Sequence, residues 1–210
     1  DETVGLTLQK GLFLTVADPG NRMEAFSARG PNSWQPDVLK PDLTAPGVDI
    51  LGAQTPDVAN NLRGETFQYL SGTSMAVPHV AGLSALLKEA HPDWSPAALR
   101  SALITTARQD VLNQDGETPA DPFDFGAGHV VPNAAFAPGL VYDAGAENYD
   151  AFLCGRDQPR DSSVDCERLE ADGLATDGSD LNLPTIATDD LVSEQVIRRR
   201  VTNVGEAAQF

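Results

Sequence analysis

The chain has 210 residues, 41% of them hydrophobic, and carries 31 acidic against 14 basic side chains for a formal net charge of −17. That length and apolar content allow one large domain, or one and a fraction, with its own core. The acid surplus argues against a nucleic-acid partner, which needs a basic patch to displace phosphate counterions, and against anionic membranes, and no apolar run reaches the roughly 18 residues of a membrane-spanning helix.

In chain order, Val4 to Val16 first alternate and then run apolar, which predicts two strands around Lys10 and Gly11. Asp18 to Asn21 read as a turn, Met23–Ala28 as a strand, and Arg29 to Asn32 as a second turn. Gly47–Ala53 predicts a short β segment, 54–66 a polar loop, and Phe67–Leu70 another short strand. The main helix is expected from Ser74 to Ala90. Apolar residues fall on every side of it, so it should be buried all round. Pro78 is placed in its first turn, where a missing N–H costs little. Gly82 reads as a point of close packing. Ser95 and Pro96 open the next helix with a capping hydroxyl and a proline at its first position. Leu99, Leu103 and Ile104 form its apolar stripe, and it ends near Thr106. Residues 108–122 read as polar loop, and Phe123–Val131 as a hairpin or extended segment. Residues 143–190 hold 13 Asp or Glu and only 3 Arg, which predicts a loop-rich acidic stretch. Leu183–Ile186 and Val196–Val201 look like strands of a new β unit. No internal repeat is found. The chain opens without an initiator Met or signal peptide and stops inside a strand or turn, so both ends read as cuts in a longer protein.

The most informative stretch runs from Ser71 to Gly82: Ser-Gly-Thr-Ser-Met-Ala-Val-Pro-His-Val-Ala-Gly. A small turn at Gly72 and Thr73 delivers the Ser74 hydroxyl onto the first turn of an apolar helix. The first N–H groups of a helix lack intrahelical partners, and the positive end of its dipole points at the same spot. That arrangement suits a nucleophile whose attack creates an oxyanion. The bland alternative is a buried helix that happens to begin Thr-Ser.

The same stretch closely resembles the nucleophile signature of the subtilisin-like serine proteases, with every fixed position present from Gly72 to Gly82. Phe26 to Asn32, Leu39 to Ile50, His91 to Ala98, Phe123 to Val130 and Pro138 to Asp143 resemble the plant, cucumisin-like branch of these subtilases and its bacterial relatives. So do Tyr149 to Cys154 and Asn182 to Pro184. Arg200 to Gly205 resembles the opening of the fibronectin-III-like domain that follows the catalytic domain there. The resemblance runs from about Met23 to the end and is weaker over 155–180.

The resemblance implies an α/β fold: the C-terminal half of a mostly parallel-sheet domain with helices on both sides (1–145), an acidic connector (146–179) and the start of a β-sandwich (180–210). It implies a secreted serine endopeptidase acting on proteins or peptides, with Ser74 as nucleophile and its own N–H as one oxyanion donor. No cofactor and no metal are implied, and oligomeric state stays open. The triad Asp and His carry over to no residue of this chain, nor does the oxyanion Asn; Asn21 and Asn32 read as turn residues. The fragment alone is therefore expected to be inactive. A pseudoprotease or interaction module that keeps the fold is the rival reading. An esterase-type nucleophile elbow is disfavoured, because Gly72-Thr73-Ser74-Met75-Ala76 lacks its second Gly.

The histidines are not read as the base. His79 lies five residues beyond Ser74, about 140° further round the helix, and the family holds a structural histidine there. His91 sits at a helix end beside a proline, where a cation suits the dipole, and His129 in a Gly-rich segment. Met75 packs beside the nucleophile, exposed to oxidation. Val77 stands where the plant proteins usually hold Cys. Asn113 to Glu117 and Asp177 to Asp180 are acidic turns that do not complete a calcium loop. Cys154 and Cys166 allow one intrachain disulfide or two free thiols; secretion, as the resemblance implies it, favours the disulfide.

Overall fold

The computed structural model describes residues 3–8, 12–17, 20–57 and 66–206. Strands β1 (Thr3–Leu8) and β2 (Leu12–Ala17) form an antiparallel hairpin in which Leu8 faces Leu12. The residues that join them at Lys10 and Gly11, like Asp18 and Pro19 and most of the 54–66 loop, lie outside the described residues. Strands β3 (Ile50–Ala53) and β4 (Phe67–Leu70) pair antiparallel from Ile50↔Leu70 to Ala53↔Phe67. Helix α1 (Thr73–Ala90) follows directly, then α2 (Pro96–Thr105). Short helices α3 (Pro122–Phe125) and α4 (Pro132–Ala135) lead to β5 (Leu140–Val141). Helices α5 (Ala146–Cys154) and α6 (Cys166–Ala171) precede β6 (Thr202–Asn203), which pairs back onto β5.

The main core lies between α1 and α2. Leu87, Leu99, Leu103, Val130 and Ala135 are buried together, with Leu83, Trp94 and Phe136 packed around them. Ser95 starts α2 as expected, its hydroxyl accepting the Ala98 N–H at 3.0 Å. Leu99, Leu103 and Ile104 are all buried. A second cluster joins Met23, Val111 and Phe125, and a third joins Ala98, Ala102 and Val141.

Several expectations are corrected. Every paired strand among the described residues is antiparallel, and the parallel component is two isolated bridges, Arg22↔Leu112 and Thr44↔His129. Met23–Ala28 is not a strand: Met23 donates to the Leu112 carbonyl, and the Ser27 N–H then turns back to Glu24. Helix α1 is not buried all round. Leu87 is fully buried, while Val77 is 64% and Leu86 52% exposed, because only one face has α2 and the 43–45 segment against it. Gly82 makes no close packing contact among the described residues: a Cβ added there would meet none of their atoms within 4 Å. Pro78 lies inside the helix, in its second turn, so the Ser74 carbonyl loses the N–H four residues on.

Residues 122–125 are helical, not a hairpin, because Asp121 caps Phe123 and Asp124 and Pro122 occupies the first helical position. The acidic stretch carries α5 and α6, tied by the Cys154–Cys166 disulfide with their Cα atoms 5.6 Å apart. Ala151 and Leu169 are buried in that pair of helices. Leu183–Ile186 and Val196–Val201 are not ladder strands. The side chains of Asp180 and Asn182, in place of a neighbouring strand, take the N–H groups of Arg198 and Arg200.

The 129 segment is the seam of the fold. Val130 N–H donates to Thr44 O at 2.9 Å, and His129 and Arg108 exchange bonds of 2.7 and 2.9 Å. Gly128 makes this approach possible: its φ is +130°, and a Cβ there would sit 2.2 Å from the Arg108 carbonyl oxygen. Gly128→Ala should cost about 2–4 kcal/mol, since backbone rather than a side-chain tip must move. Urea denaturation of the full-length variant beside the parent checks this, and an unchanged midpoint would refute it.

Candidate active site

The site is the junction where β4 runs into α1. Ser71 follows β4; its hydroxyl accepts the Asp49 N–H at 2.8 Å and donates to the Asp49 carboxylate at 3.3 Å. Gly72 is next, its N–H donating to the Gly47 carbonyl at 2.8 Å. The two glycines touch: a Cβ on Gly47 would lie 2.9 Å from Gly72 O and 3.3 Å from the Ala76 Cβ. The junction therefore needs a residue without a side chain at 47, and this closeness sets where the helix begins.

The helix begins without a side-chain cap. Gly72 is the N-cap and has none to offer, and the first turn holds no acidic residue. Met75 and Ala76 donate to the Gly72 carbonyl at 3.0 and 3.4 Å. The N–H groups of Thr73 and Ser74 find no acceptor among the described residues. Two donors at the positive end of an 18-residue helix are thus left for an external anion. Ser74 is exposed, and its hydroxyl has no hydrogen-bond partner among the described residues. A cleft of about 360 Å³ opens beside this end of the helix, lined by Ser27, Gly47, Gly72, Thr73, Ala76 and His129 among others. A second, more apolar one of about 500 Å³ runs between Pro41–Ala45 and the Val77, Val80 and Ala81 side of α1.

Each histidine is engaged elsewhere. His79 Nδ1 lies 2.9 Å from the Met75 carbonyl, one turn back along its own helix. His91 stacks on Trp94, ring centroids 3.9 Å apart, with Nε2 3.1 Å from the Phe136 carbonyl. His129 Nδ1 lies 3.4 Å from the Thr44 hydroxyl. Burial first, and then the Arg108 guanidinium, hold the His129 pKa below the ordinary imidazole value, against a smaller opposing pull from Asp110. Asn21 and Asn32 serve their turns: Asn21 accepts from Arg108, and Asn32 from the Trp34 N–H. Asp115 and Asp177 likewise accept N–H groups of their own turns, Glu117 and Thr118 for the first and Ser179 for the second. Among the described residues no three His, Cys, Asp or Glu side chains converge as metal ligands. No described helix is long and apolar enough to cross a membrane.

The sequence singles out Ser74 but not the three residues that hold its turn, Gly47, Ser71 and Asp49. The one available signal was Pro46-Gly47 just ahead of a strand, and which backbone a glycine approaches is not written in its neighbours.

Comparison with known proteins places the chain in a family. The profile of the Subtilase family matches residues 3–128. The chain is 45% identical to the subtilisin-like protease SBT1.7 of Arabidopsis thaliana over 209 residues, covering 91% of this chain and 27% of that protein. It is 42% identical to the subtilisin-like protease Glyma18g48580 of Glycine max, covering 100% of this chain and 28% of that one. Among solved structures, fervidolysin from Fervidobacterium pennivorans, a keratinolytic enzyme related to subtilisin, shares 31% identity over 45% of this chain and 15% of its own, with a TM-score of 0.35. The chain belongs to the subtilase family, whose members are serine peptidases of α/β fold. It spans about a quarter of the length of the curated relatives it matches.

Two outcomes follow from this geometry. Gly47→Ala should push Gly72 and the start of α1 away from the 46–48 segment, lowering stability by about 1–3 kcal/mol. Denaturation of the full-length variant beside the parent checks this; an unchanged midpoint would show that the contact does not hold the helix start. For His129 the folded pKa is lowered, so its contribution to stability is complete above about pH 6.5 and is lost as pH falls below that toward the folded value. Denaturation midpoints at pH 7.5 and 5 should therefore drop more for the parent than for His129→Gln, and equal drops would refute the assignment.

Proposed function

We propose that the longer polypeptide carrying this chain is a secreted serine endopeptidase and that Ser74 is its nucleophile. The observation that carries the reading is the uncapped start of α1. An exposed hydroxyl stands beside two unspent backbone N–H donors within the family's nucleophile motif. In this reading Ser74 Oγ attacks the scissile carbonyl carbon while its proton passes to a histidine. The carbonyl π pair moves onto oxygen and is held by the Ser74 N–H and, more weakly, the Thr73 hydroxyl. Collapse expels the amine, which takes the proton, and water then releases the acid from the acyl-serine. Subtilisin itself is the standard case of this Ser-His-Asp chemistry, so the order of events is the family's.

The base and its orienting Asp are supplied by a segment outside these 210 residues, as is the oxyanion Asn. What supports this is that none of His79, His91 and His129 contacts Ser74 and each has another partner. The isolated chain is then inactive, because a serine without its base loses most of its rate. The same longer polypeptide covers the apolar side of α1 around Val77 and Ala81. The substrates are proteins or peptides. Secretion is supported by the Cys154–Cys166 disulfide, which suits an oxidising compartment. The division into a catalytic part (1–145), an acidic connector (146–179) and the opening of a fibronectin-III-like domain (180–210) rests on sequence resemblance alone.

A fluorophosphonate probe on the full-length protein tests the nucleophile. Label mapped to Ser74 and lost in Ser74→Ala, with proteolysis falling to background, is expected. A folded full-length protein that takes no label would be a pseudoprotease, and the catalytic reading would fall.

A further inference from the structure

In a chain this acidic, cations have carboxylates to choose from, and most of the described ones use them. Arg22, Arg29, Lys40, Arg100, Arg108, Arg160 and Arg168 pair with acids, and Arg156 with Gln35. Lys88 and Arg199 donate to backbone carbonyls. Among the described residues only the Arg198 and Arg200 side chains have no partner.

Their placement is rigid. The N–H of Arg198 donates to Asp180 Oδ1 at 3.1 Å, and that of Arg200 to Asn182 Oδ1 at 2.8 Å, with Asn182 Nδ2 returning to the Arg200 carbonyl at 3.0 Å. Donors two residues apart meeting acceptors two residues apart define an extended segment. Arg198 and Arg200 then share one face, about 7 Å apart, and Arg199 takes the other. Arg199 pins that other face, donating to the carbonyls of Ser179 at 2.6 Å, Leu183 at 3.0 Å and Thr185 at 3.3 Å. The two exposed guanidiniums line a cleft of about 400 Å³ whose walls include Asn148, Asp143 and Asp180.

We propose that this cleft binds an acidic peptide segment, its Asp or Glu carboxylate held between Arg198 and Arg200. A guanidinium presents paired donors that match a carboxylate, and holding the two backbones in advance lowers part of the ordering cost of capture. The walls choose the anion and its carrier. Asp143 and Asp180 each already accept one internal bond, from Ser95 and from the Arg198 N–H. Two acidic side chains in the wall disfavour a dianionic phosphate more than a single carboxylate. Their remaining oxygens accept the N–H groups of a peptide backbone. Two guanidiniums are too few to hold a polyphosphate backbone against salt. The proposal does not rest on Ser74.

The test uses the full-length protein carrying Ser74→Ala, so that no probe is cleaved, and a fluorescein-labelled, end-blocked Gly-Glu-Gly-Glu-Gly peptide followed by anisotropy. Saturable binding is expected, weakened about tenfold or more by R198Q/R200Q and weakened by salt. The Gln version of the peptide should not bind. Equal binding of the Gln peptide, no binding at all, or an unchanged affinity in R198Q/R200Q would overturn the proposal. Displacement by inorganic phosphate at lower concentration than by glutarate would reassign the cleft to phosphate and overturn the peptide reading. Single Arg198→Gln and Arg200→Gln variants with parental melting curves keep the test valid should the double variant misfold.

Discussion

The start of α1 depends on one contact that leaves no room for a side chain. The Gly47 carbonyl takes the Gly72 N–H at 2.8 Å, and Gly47 lies so close to Gly72 and Ala76 that a methyl group would collide. That bond fixes the last residue before the helix, and the Ser71–Asp49 bonds fix the one before it. The helix then begins where it does because the segment before β3 holds it there, not because a capping side chain stops it. A conventional Ser or Asp cap would stabilise the helix by about 1 kcal/mol. It would also place its oxygen on the N–H donors that stay unspent here. Gly72 gives up the cap and leaves the donors available. Tertiary contact stands in for local stabilisation at this one point.

How much of this was legible in the sequence varies with how local the cause is. β4 was read with its bounds and α2 through Ser95 and Pro96, because cap and pattern are written in adjacent residues. The start of α1 was placed within one residue by the motif, although no side chain caps it. Ser74 was singled out as the candidate nucleophile by a dense motif, and the structure leaves it exposed at the start of α1. Burial was not. The all-round apolar composition of α1 describes a helix suited to a core, yet Val77 and Leu86 stand exposed because cover is a property of neighbours. Gly82 was misread in the same way. Glycine permits close approach without compelling it, and Gly47 and Gly128, which do use that permission, gave no stronger local signal. Met23–Ala28 failed for a related reason. Met23 alone of its apolar residues joins a cluster with Val111 and Phe125, and the Glu24–Ser27 turn ends any extended run.

The acidic stretch shows the limit of reading composition as disorder. A run with four times as many acids as bases reads as self-repelling loop. Here the acids are spent one by one. Asp165 caps α6 and Asp177 caps the turn at 178–180, while Asp150, Glu147 and Asp172 pair with Arg160 and Arg168. The Cys154–Cys166 bond joins the two helices, and Ala151 and Leu169 supply the buried surface. Exposed pairs of this kind are individually weak, so the covalent bond and the apolar contacts hold the unit, and the charges settle its turns.

The same accounting explains why Asp42 matters more than its neighbours. It sits in the segment that β-bridges to the 129 seam, and both Lys40 and Arg100 reach it. Burial alone would raise its pKa, but the hydrogen bond from Lys40 and the attraction of Arg100 outweigh that and hold it below the usual carboxylate value. A carboxylate kept charged there ties α2, through Arg100, to the strand-like segment that precedes Gly47. The chain from Arg100 to Asp42, through Thr44 to Gly47 and on to Gly72, is a continuous series of short contacts. It runs from the best-buried helix to the first turn of α1. In this fold the position of Ser74 is set from the core outward, by backbone bonds and one charge cluster, with no contribution from its hydroxyl.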